Sequence, residues 1–192
     1  MLKKSKEDVK IIKSKRRTCS IQVLPDGQVL VRTPIGMSSK KISDLLQQNQ
    51  SWINTSKEKM AELYRRRSLL PLLTEEEICC MMQRAREVIP KKVRIYSEQI
   101  NVTYGKVSIS KQRSRWGSCN SVGDLRFNCL LMALPEDVLD YVIVHELCHR
   151  KEMNHSKAFW NEVKKALPSY EESYKWLKLY GGDVISRIPK TD

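Results

Sequence analysis

Glycine and proline are sparse in this chain of 192 residues, with seven of each, which excludes a collagen-like or low-complexity protein. No apolar run approaches the roughly 18 to 20 residues that a membrane-spanning helix needs, so we expect no membrane partner. The first twenty residues are basic but contain no continuous apolar stretch and no small-residue cleavage site, unlike a secretory signal. With 41% hydrophobic and 30% charged residues, the composition predicts a soluble globular protein. Because no secretory signal is recognised, we expect it in the cytoplasm.

The cysteines lack the spacing of a structural metal site or redox motif, because no two of the six form a C-x-x-C pair. In an oxidising compartment six cysteines would suffice for three disulfides. Without an export signal we favour reduced thiols, with Cys148 facing the core as a small apolar side chain.

Acidic residues are scarce in the first part of the chain. Residues 1–72 contain 16 basic and 6 acidic residues, whereas residues 73–192 contain 19 and 16, within a net charge of +13. Clustered Lys and Arg can bind nucleic acid by neutralising phosphates. Since the chain has only two Phe and no aromatic platform of the R-G-F type, a solvated basic surface explains the charge as well.

Local patterns divide the chain near residue 72. Residues 18–33 alternate apolar and polar side chains on both sides of Pro25-Asp26-Gly27, which predicts a β-hairpin. Helical spacing follows from Ile42 to about Leu70. Thr74 with Glu77 forms a capping box and starts a new helix that reaches at least Ile89. We therefore predict a basic β-hairpin and helix region over 1–72 and a second domain over 73–192.

The second domain mixes strands and helices. Strand-like runs cover Ile100–Tyr104, Lys106–Ser110 and Leu125–Leu131. Pro135 begins a helix that continues through the β-branched residues 142–144. Two more helices are predicted over 156–167 and 169–180, the last ended by Gly181-Gly182.

All three histidines of the chain lie within eleven residues. His145 and His149 belong to the string H-E-L-C-H, and residues four apart on a helix share one face, so two imidazoles can approach one ion. Zinc prefers nitrogen donors in a tetrahedron, and catalytic zinc sites keep one position for water. Glu146 is rotated about 100° from His145 around the helix axis. It therefore lies too far round to be an easy ligand of the metal, but its carboxylate can reach that water. The pattern predicts one zinc ion and a glutamate general base.

His155 is the favoured third ligand. Five residues separate it from His149, as in the metzincin pattern, but Glu152 stands where that pattern has glycine. We expect Asn154, which tolerates the left-handed region, to reverse the chain instead. The alternative is a carboxylate from a later helix: Glu162, Glu171 or Glu172.

Three longer strings carry a family resemblance: R-S-R-W-G-S-C at 113–119, L-R-F-N at 125–128 and the run from Leu134 to Trp160 that contains all three histidines. Together they resemble the YgjP-like metallopeptidase family, which is related to the SprT-type zinc metalloproteases. The resemblance implies an α+β fold with a zincin-like core, a small and mainly antiparallel sheet against the active-site helix. It also implies zinc at His145, His149 and His155, with Glu146 catalytic.

These observations predict a zinc metallopeptidase that hydrolyses peptide bonds of a peptide or protein substrate with metal-activated water. Three further residues are candidates for substrate contact: Asn128 beside an extended peptide, and Tyr170 and Tyr174 near the oxyanion. Core packing is the alternative for both tyrosines, and an ordinary strand position for Asn128. The alternative function is a nucleic-acid-associated protein with a structural zinc site or DNA-dependent protease activity.

Overall fold

The structure, a computed structural model, describes residues 9–24 and 26–189. Pro25 of the predicted hairpin turn lies outside the described residues. The chain forms two compact units that divide between Leu70 and Pro71, and the domain boundary near residue 72 stays a prediction. None of the helices described is long and apolar enough to span a membrane. All six cysteines lie in the described ranges and are free, and Cys148 is buried as expected.

The first unit contains the predicted hairpin and one strand that the sequence pattern did not indicate. Strand β2 pairs with β3 in antiparallel register, which confirms the hairpin, while β1 runs parallel along the other edge of β3. The described elements of this unit are β1 (Val9–Ser14), β2 (Ser20–Val23), β3 (Val29–Pro34), α1 (Ser39–Gln48) and α2 (Gln50–Ser68).

The single predicted helix over residues 42–70 is in fact two helices. Asn49 separates α1 from α2, and its side-chain Nδ2 donates a hydrogen bond to the Leu45 carbonyl at 2.8 Å. An Asn side chain that bonds the preceding turn competes with helix continuation. Ile42 of α1 and Ile53 of α2 still pack on the same small core as Val31 of the sheet.

The second unit begins with a helix that is longer than predicted. Its elements are α3 (Glu75–Ile100), β4 (Val107–Ser110), β5 (Gly117–Cys119), β6 (Leu125–Asn128), α4 (Glu136–Cys148), α5 (Lys157–Ala166) and α6 (Tyr170–Ser186). The predicted capping box at Thr74 and Glu77 is present. The predicted strand at Ile100–Tyr104 is wrong, because the buried face of α3 continues to Ile100 and the left-handed Asn101, at φ 57°, ends the helix.

The sheet of this unit is mixed, not mainly antiparallel as expected. Its strand order is β4-β6-β5, with β4 parallel and β5 antiparallel to β6. Between β4 and β5 the chain passes from one edge of β6 to the other. The predicted strand Leu125–Leu131 ends at Asn128, where a 3-10 helix over Cys129–Ala133 begins.

Helix α4 lies in the middle of the unit and is buried on nearly every side. Its contacts with α3, α5, α6 and β5 explain why the β-branched residues 142–144 adopt a helix, since tertiary packing overrides their strand propensity. Helix α6 passes through Gly181-Gly182 to Ser186, so the predicted end at these glycines is wrong. A Cβ at Gly181 would lie 3.0 Å from the Trp116 indole nitrogen, which shows that this glycine permits close packing and does not stop the helix.

Candidate metal centre

Helix α4 and the segment after it bring the three histidines together. His145 lies in the last turn of α4, and His149, one turn later, is the C-cap residue of that helix. The ring nitrogens of His145, His149 and His155 that are suited to bind a metal lie within 4.8 Å of one another. The Nε2 atoms of His145 and His155 are 3.0 Å apart. Nitrogen donors of a tetrahedral zinc site are about 3.3 Å apart, so this pair has nearly the spacing of such a site.

A series of tight turns, and no left-handed residue, returns the chain to this cluster. Asn101 has the only positive φ among the described non-glycine residues, so the expected left-handed reversal at Asn154 is wrong. The chain turns instead just beyond α4, where the Cys148 carbonyl accepts hydrogen bonds from the amides of Lys151 and Glu152. Successive turns of this kind re-aim the backbone without a glycine.

Hydrogen bonds outside the cluster orient two of the imidazoles. Nδ1 of His149 lies 3.1 Å from the Glu152 carbonyl oxygen, and a carbonyl only accepts, so Nδ1 carries the proton and Nε2 keeps its lone pair. Nδ1 of His145 lies 3.4 Å from the Tyr141 hydroxyl. Such partners commonly fix the tautomer and the ring direction of metal-binding histidines. Glu152, which stands where the metzincin pattern has glycine, thus contributes a backbone hydrogen-bond acceptor to the site.

Phe159 supports all three rings. It is fully buried, and its ring centroid lies 4.9, 4.6 and 4.8 Å from those of His145, His149 and His155. Ser156 caps the helix that carries it, because its hydroxyl accepts from the Phe159 amide at 3.3 Å. The start of α5 is therefore part of the framework of the site.

The surroundings of His145 and His149 favour the neutral imidazole, which is the form that binds metals. Burial, followed by the neighbouring His149 and His155, lowers the pKa of His145 to about 3. Burial also lowers the pKa of His149, against the opposing effect of its hydrogen bond to Glu152. Three converging imidazole nitrogens fit the ligand chemistry of zinc.

The alternative carboxylate ligands lie outside this group. Glu162 forms ion pairs with Lys151 and Lys165, and these hydrogen bonds hold the pKa of its carboxyl below the ordinary value. Glu171 and Glu172 are exposed in the first turn of α6. Across residues 9–24 and 26–189, no carboxylate or thiol joins the three histidines in a common cluster.

Glu146 is a buried carboxyl held against the edge strand β5. Only 6% of its surface is exposed. A Cβ placed at Gly117 would lie 2.7 Å from both Cγ and Oε1 of Glu146, so the glycine leaves the space that the carboxyl occupies. Burial raises the pKa of Glu146 to about 7, although the positive charge of Arg115 acts in the opposite direction. A nearby cation such as a metal would lower this pKa, as Arg115 does.

The Asn128 side chain is buried and does not face solvent. It is 1% exposed, and its Nδ2 donates to the carbonyls of Gln112 and Arg115 at 2.7 and 3.0 Å. Its Oδ1 accepts from the Leu130 amide at 3.1 Å. The expected contact with an extended peptide does not fit this geometry, because the amide already holds the loop that precedes β5 in place.

Tyr170 and Tyr174 lie one layer away from the imidazoles. Both rings pack against Tyr141 and Trp160, with centroid distances between 5.6 and 6.3 Å. Tyr174 is 38% exposed, and burial raises the pKa of Tyr170. Their helical spacing puts them in an aromatic cluster beside the site, and a role at the oxyanion stays a prediction.

Two residues that the sequence analysis did not select are important here. Tyr141 precedes His145 by four positions, so the same helical spacing that joined the histidines could have identified it. Gly117 had no such signal, because its importance depends on a contact between β5 and α4 that is distant in sequence.

Comparison with known proteins gives one family and several structures. The family described as YgjP-like, metallopeptidase domain, matches residues 17–82 and 78–180. The metallopeptidase zymogen abylysin of Pyrococcus abyssi is 23% identical, with 48% of this chain and 95% of that chain covered and a TM-score of 0.43. The metallopeptidase zymogen jannalysin of Methanocaldococcus jannaschii is 26% identical, with 48% and 94% covered and a TM-score of 0.42. A search of curated proteins gave no match.

Proposed function

The chain belongs to the YgjP-like metallopeptidase family, and from this premise we propose that it hydrolyses peptide bonds with one zinc ion bound by His145, His149 and His155 and with Glu146 as general base. The observation that carries the proposal is the convergence of three imidazole donors within 4.8 Å of one another beside α4, the helix that also positions a buried carboxyl. On this proposal α4 and the mixed sheet form a zincin-like core.

When bound, zinc supplies Lewis-acid chemistry, which polarises a substrate carbonyl and makes water more acidic. Glu146 accepts the proton of the attacking water on a carboxylate oxygen and returns it to the leaving amine. Gly117 allows the carboxyl to sit close to β5, so its orientation is fixed before substrate arrives. An Nδ1–H of His145 donates to the Tyr141 hydroxyl, as that of His149 does to the Glu152 carbonyl, so that both Nε2 lone pairs face the metal position.

Glu146→Gln tests the catalytic role. The substitution keeps the shape of the side chain but removes the base, and general-base catalysis contributes about 10²- to 10⁴-fold, so we expect kcat to fall in that range. Metal analysis of the purified variant should still give one zinc per chain. Chelation should abolish wild-type cleavage, and added zinc should restore it. Full activity of Glu146→Gln would refute the base assignment, and cleavage that survives complete metal removal would refute the metallopeptidase.

His155→Ala tests the ligand set separately. Removing one of three nitrogen donors should leave the purified variant without stoichiometric zinc, because zinc sites depend on ligand number and geometry. Glu162→Gln is the matched control, since Glu162 pairs with Lys151 and Lys165; it should retain zinc. Loss of zinc in the control with retention in His155→Ala would favour a carboxylate ligand.

We propose nucleic-acid contact by the first unit as a second candidate, supported by the exposed cations of Lys10, Lys15 and Arg17 and by Trp52, which is 50% exposed. Phosphate neutralisation makes affinity fall steeply with salt, with a slope of about −0.9 per contact on duplex DNA. The combined Lys10→Gln and Lys15→Gln variant of the full chain should reduce that slope by about 2, whereas Lys178→Gln on α6 should leave it unchanged. A binding curve that is insensitive to salt would refute this candidate.

A further inference from the structure

An open pocket of about 440 Å³ lies on the solvent side of the β4-β6-β5 sheet. Ser108 of β4, Arg126 of β6 and Ser118 of β5 line it, and they occupy one row across the sheet, because Arg126 is in register with both serines. Side chains in register across neighbouring strands stand on the same face. The pocket therefore has a floor built from the regular sheet.

The pocket wall is positively charged. Lys106, Arg115 and Arg126 line it, with Asp124 as the single carboxylate. Both carboxylate oxygens of Asp124 already accept hydrogen bonds: Oδ1 from the Lys106 amide at 2.8 Å and Oδ2 from the Asn120 side chain. Among the described residues, neither the Arg115 nor the Arg126 guanidinium forms a salt bridge. Two arginines thus line an open polar pocket, and neither forms a salt bridge with its one carboxylate.

The hydroxyls of Ser108 and Ser118 on the pocket floor differ in whether they have a hydrogen-bond partner. Ser108 donates to the Leu125 carbonyl at 3.2 Å, whereas the Ser118 hydroxyl has no hydrogen-bond partner in the part of the chain described. A guanidinium fork and a neighbouring hydroxyl are the donors that typically bind carboxylate and phosphate oxygens. The unused donors of Arg115, Ser118 and Arg126 together match such an oxyanion.

Strand β5 connects this pocket with the candidate metal centre. Gly117 faces the carboxyl of Glu146, and the next residue, Ser118, lines the pocket on the opposite face of the strand. Arg115 also lines the pocket and lies close enough to act electrostatically on Glu146. Strand β5 is an edge strand, and an extended chain alternates its side chains between two faces, so a substrate that passes along β5 can present one side chain to each place.

We propose that this pocket is a specificity site that binds an oxyanion of the substrate, a carboxylate or phosphate group on a peptide side chain. The inference rests on the proposed function, because it names the substrate class of the same enzyme. Arg126 and Arg115 bind the oxyanion through their guanidinium groups, and Ser118 donates the additional hydrogen bond. The enzyme selects acidic or phosphorylated peptides over neutral ones.

Peptide cleavage by the zinc-loaded protein tests the selection. A set of peptides places glutamate, phosphoserine or glutamine at one position at a time. We expect one position at which an anionic residue lowers KM about tenfold, equivalent to about 1.4 kcal/mol, relative to glutamine. Arg126→Gln should remove this difference in KM between anionic and neutral peptides. Arg84→Gln, which makes the same charge change on an exposed position of α3, should retain it.

Glutamate and phosphoserine distinguish the two sources of the oxyanion. A lower KM for either one supports the pocket, and the residue with the lower value identifies the preferred group. Equal KM for anionic and neutral peptides at every position, with normal cleavage, overturns the pocket while the proposed function stands. Selection that persists in Arg126→Gln overturns it as well.

If no peptide is cleaved, the proposed function is contradicted. A binding measurement then still tests the pocket. Inorganic phosphate or glutarate, added to the full-length holoenzyme, should shift the NMR amide resonance of Ser118 in a saturable manner. The shift should persist in Arg84→Gln and be at least about tenfold weaker in Arg126→Gln, as expected on losing a charge-assisted bond. No shift at Ser118, or an equal shift in both variants, overturns the pocket.

Discussion

Replacing Gly117 with alanine should displace the Glu146 carboxyl without touching a histidine. The added Cβ would lie 2.7 Å from Cγ and Oε1 and 2.9 Å from Cδ of Glu146, where ordinary contacts begin at 3.4 Å. The carboxyl or the strand must therefore move by about 0.7 Å. Since Glu146 is buried on a helix that is itself buried on nearly every side, the flexible end of the side chain has little room to relax.

The expected cost in rate follows from that displacement. A misplacement of about 1 Å can reduce turnover about 10²-fold, so we expect kcat of Gly117→Ala to fall about 30- to 100-fold, or about 2–3 kcal/mol in the activation free energy. Overpacking should also lower the free energy of unfolding by about 1–3 kcal/mol. Gly117 has an ordinary backbone φ, so alanine adds no backbone strain.

The assay compares cleavage, zinc affinity and stability in the same preparation. Zinc affinity of Gly117→Ala should stay within about threefold of the wild type, because no donor or orienting hydrogen bond is altered. Gly36→Ala is the matched control, since a Cβ there meets nothing within 4 Å, and it should retain full activity. Wild-type kcat in Gly117→Ala would refute the positioning argument. A parallel loss of zinc would show that the substitution acts on the metal site instead of on Glu146.

Two further predictions concern the groups that hold the site in place. Tyr141→Phe removes the hydroxyl that lies 3.4 Å from Nδ1 of His145. The zinc affinity, measured by competition with a chelator, should fall about 10-fold or more. An unchanged affinity would show that the hydroxyl does not orient the ring. Asn128→Ala leaves two carbonyls and one amide of the loop without their partner and should lower the free energy of unfolding by about 3–5 kcal/mol in urea denaturation. Asn128→Asp, a side chain of equal size, should also destabilise the fold, because an oxygen acceptor replaces the amide nitrogen that donates both hydrogen bonds. A wild-type urea midpoint in either variant would contradict the proposed role of Asn128.

Local signals in the sequence predicted much of the fold. The hairpin around Asp26-Gly27, the capping box at Thr74 and the helix after Pro135 depend on contacts between residues close in the chain, and all three are present. The errors occur where distant packing decides. Gly181 was expected to end a helix but contacts Trp116 inside one, and Ile100 belongs to the buried face of a helix and not to a strand.

The sequence by itself determined the chemistry of the site, because two histidines four residues apart on a helix must share a face and the third follows after a short turn. Tertiary structure alone decided what surrounds them. It placed Gly117 against Glu146, directed the Asn128 amide into a loop and left Arg126 beside an open pocket. The physical reason is range: spacing along a helix fixes neighbours within a few residues, whereas contacts between α4 and β5 depend on how the whole core packs.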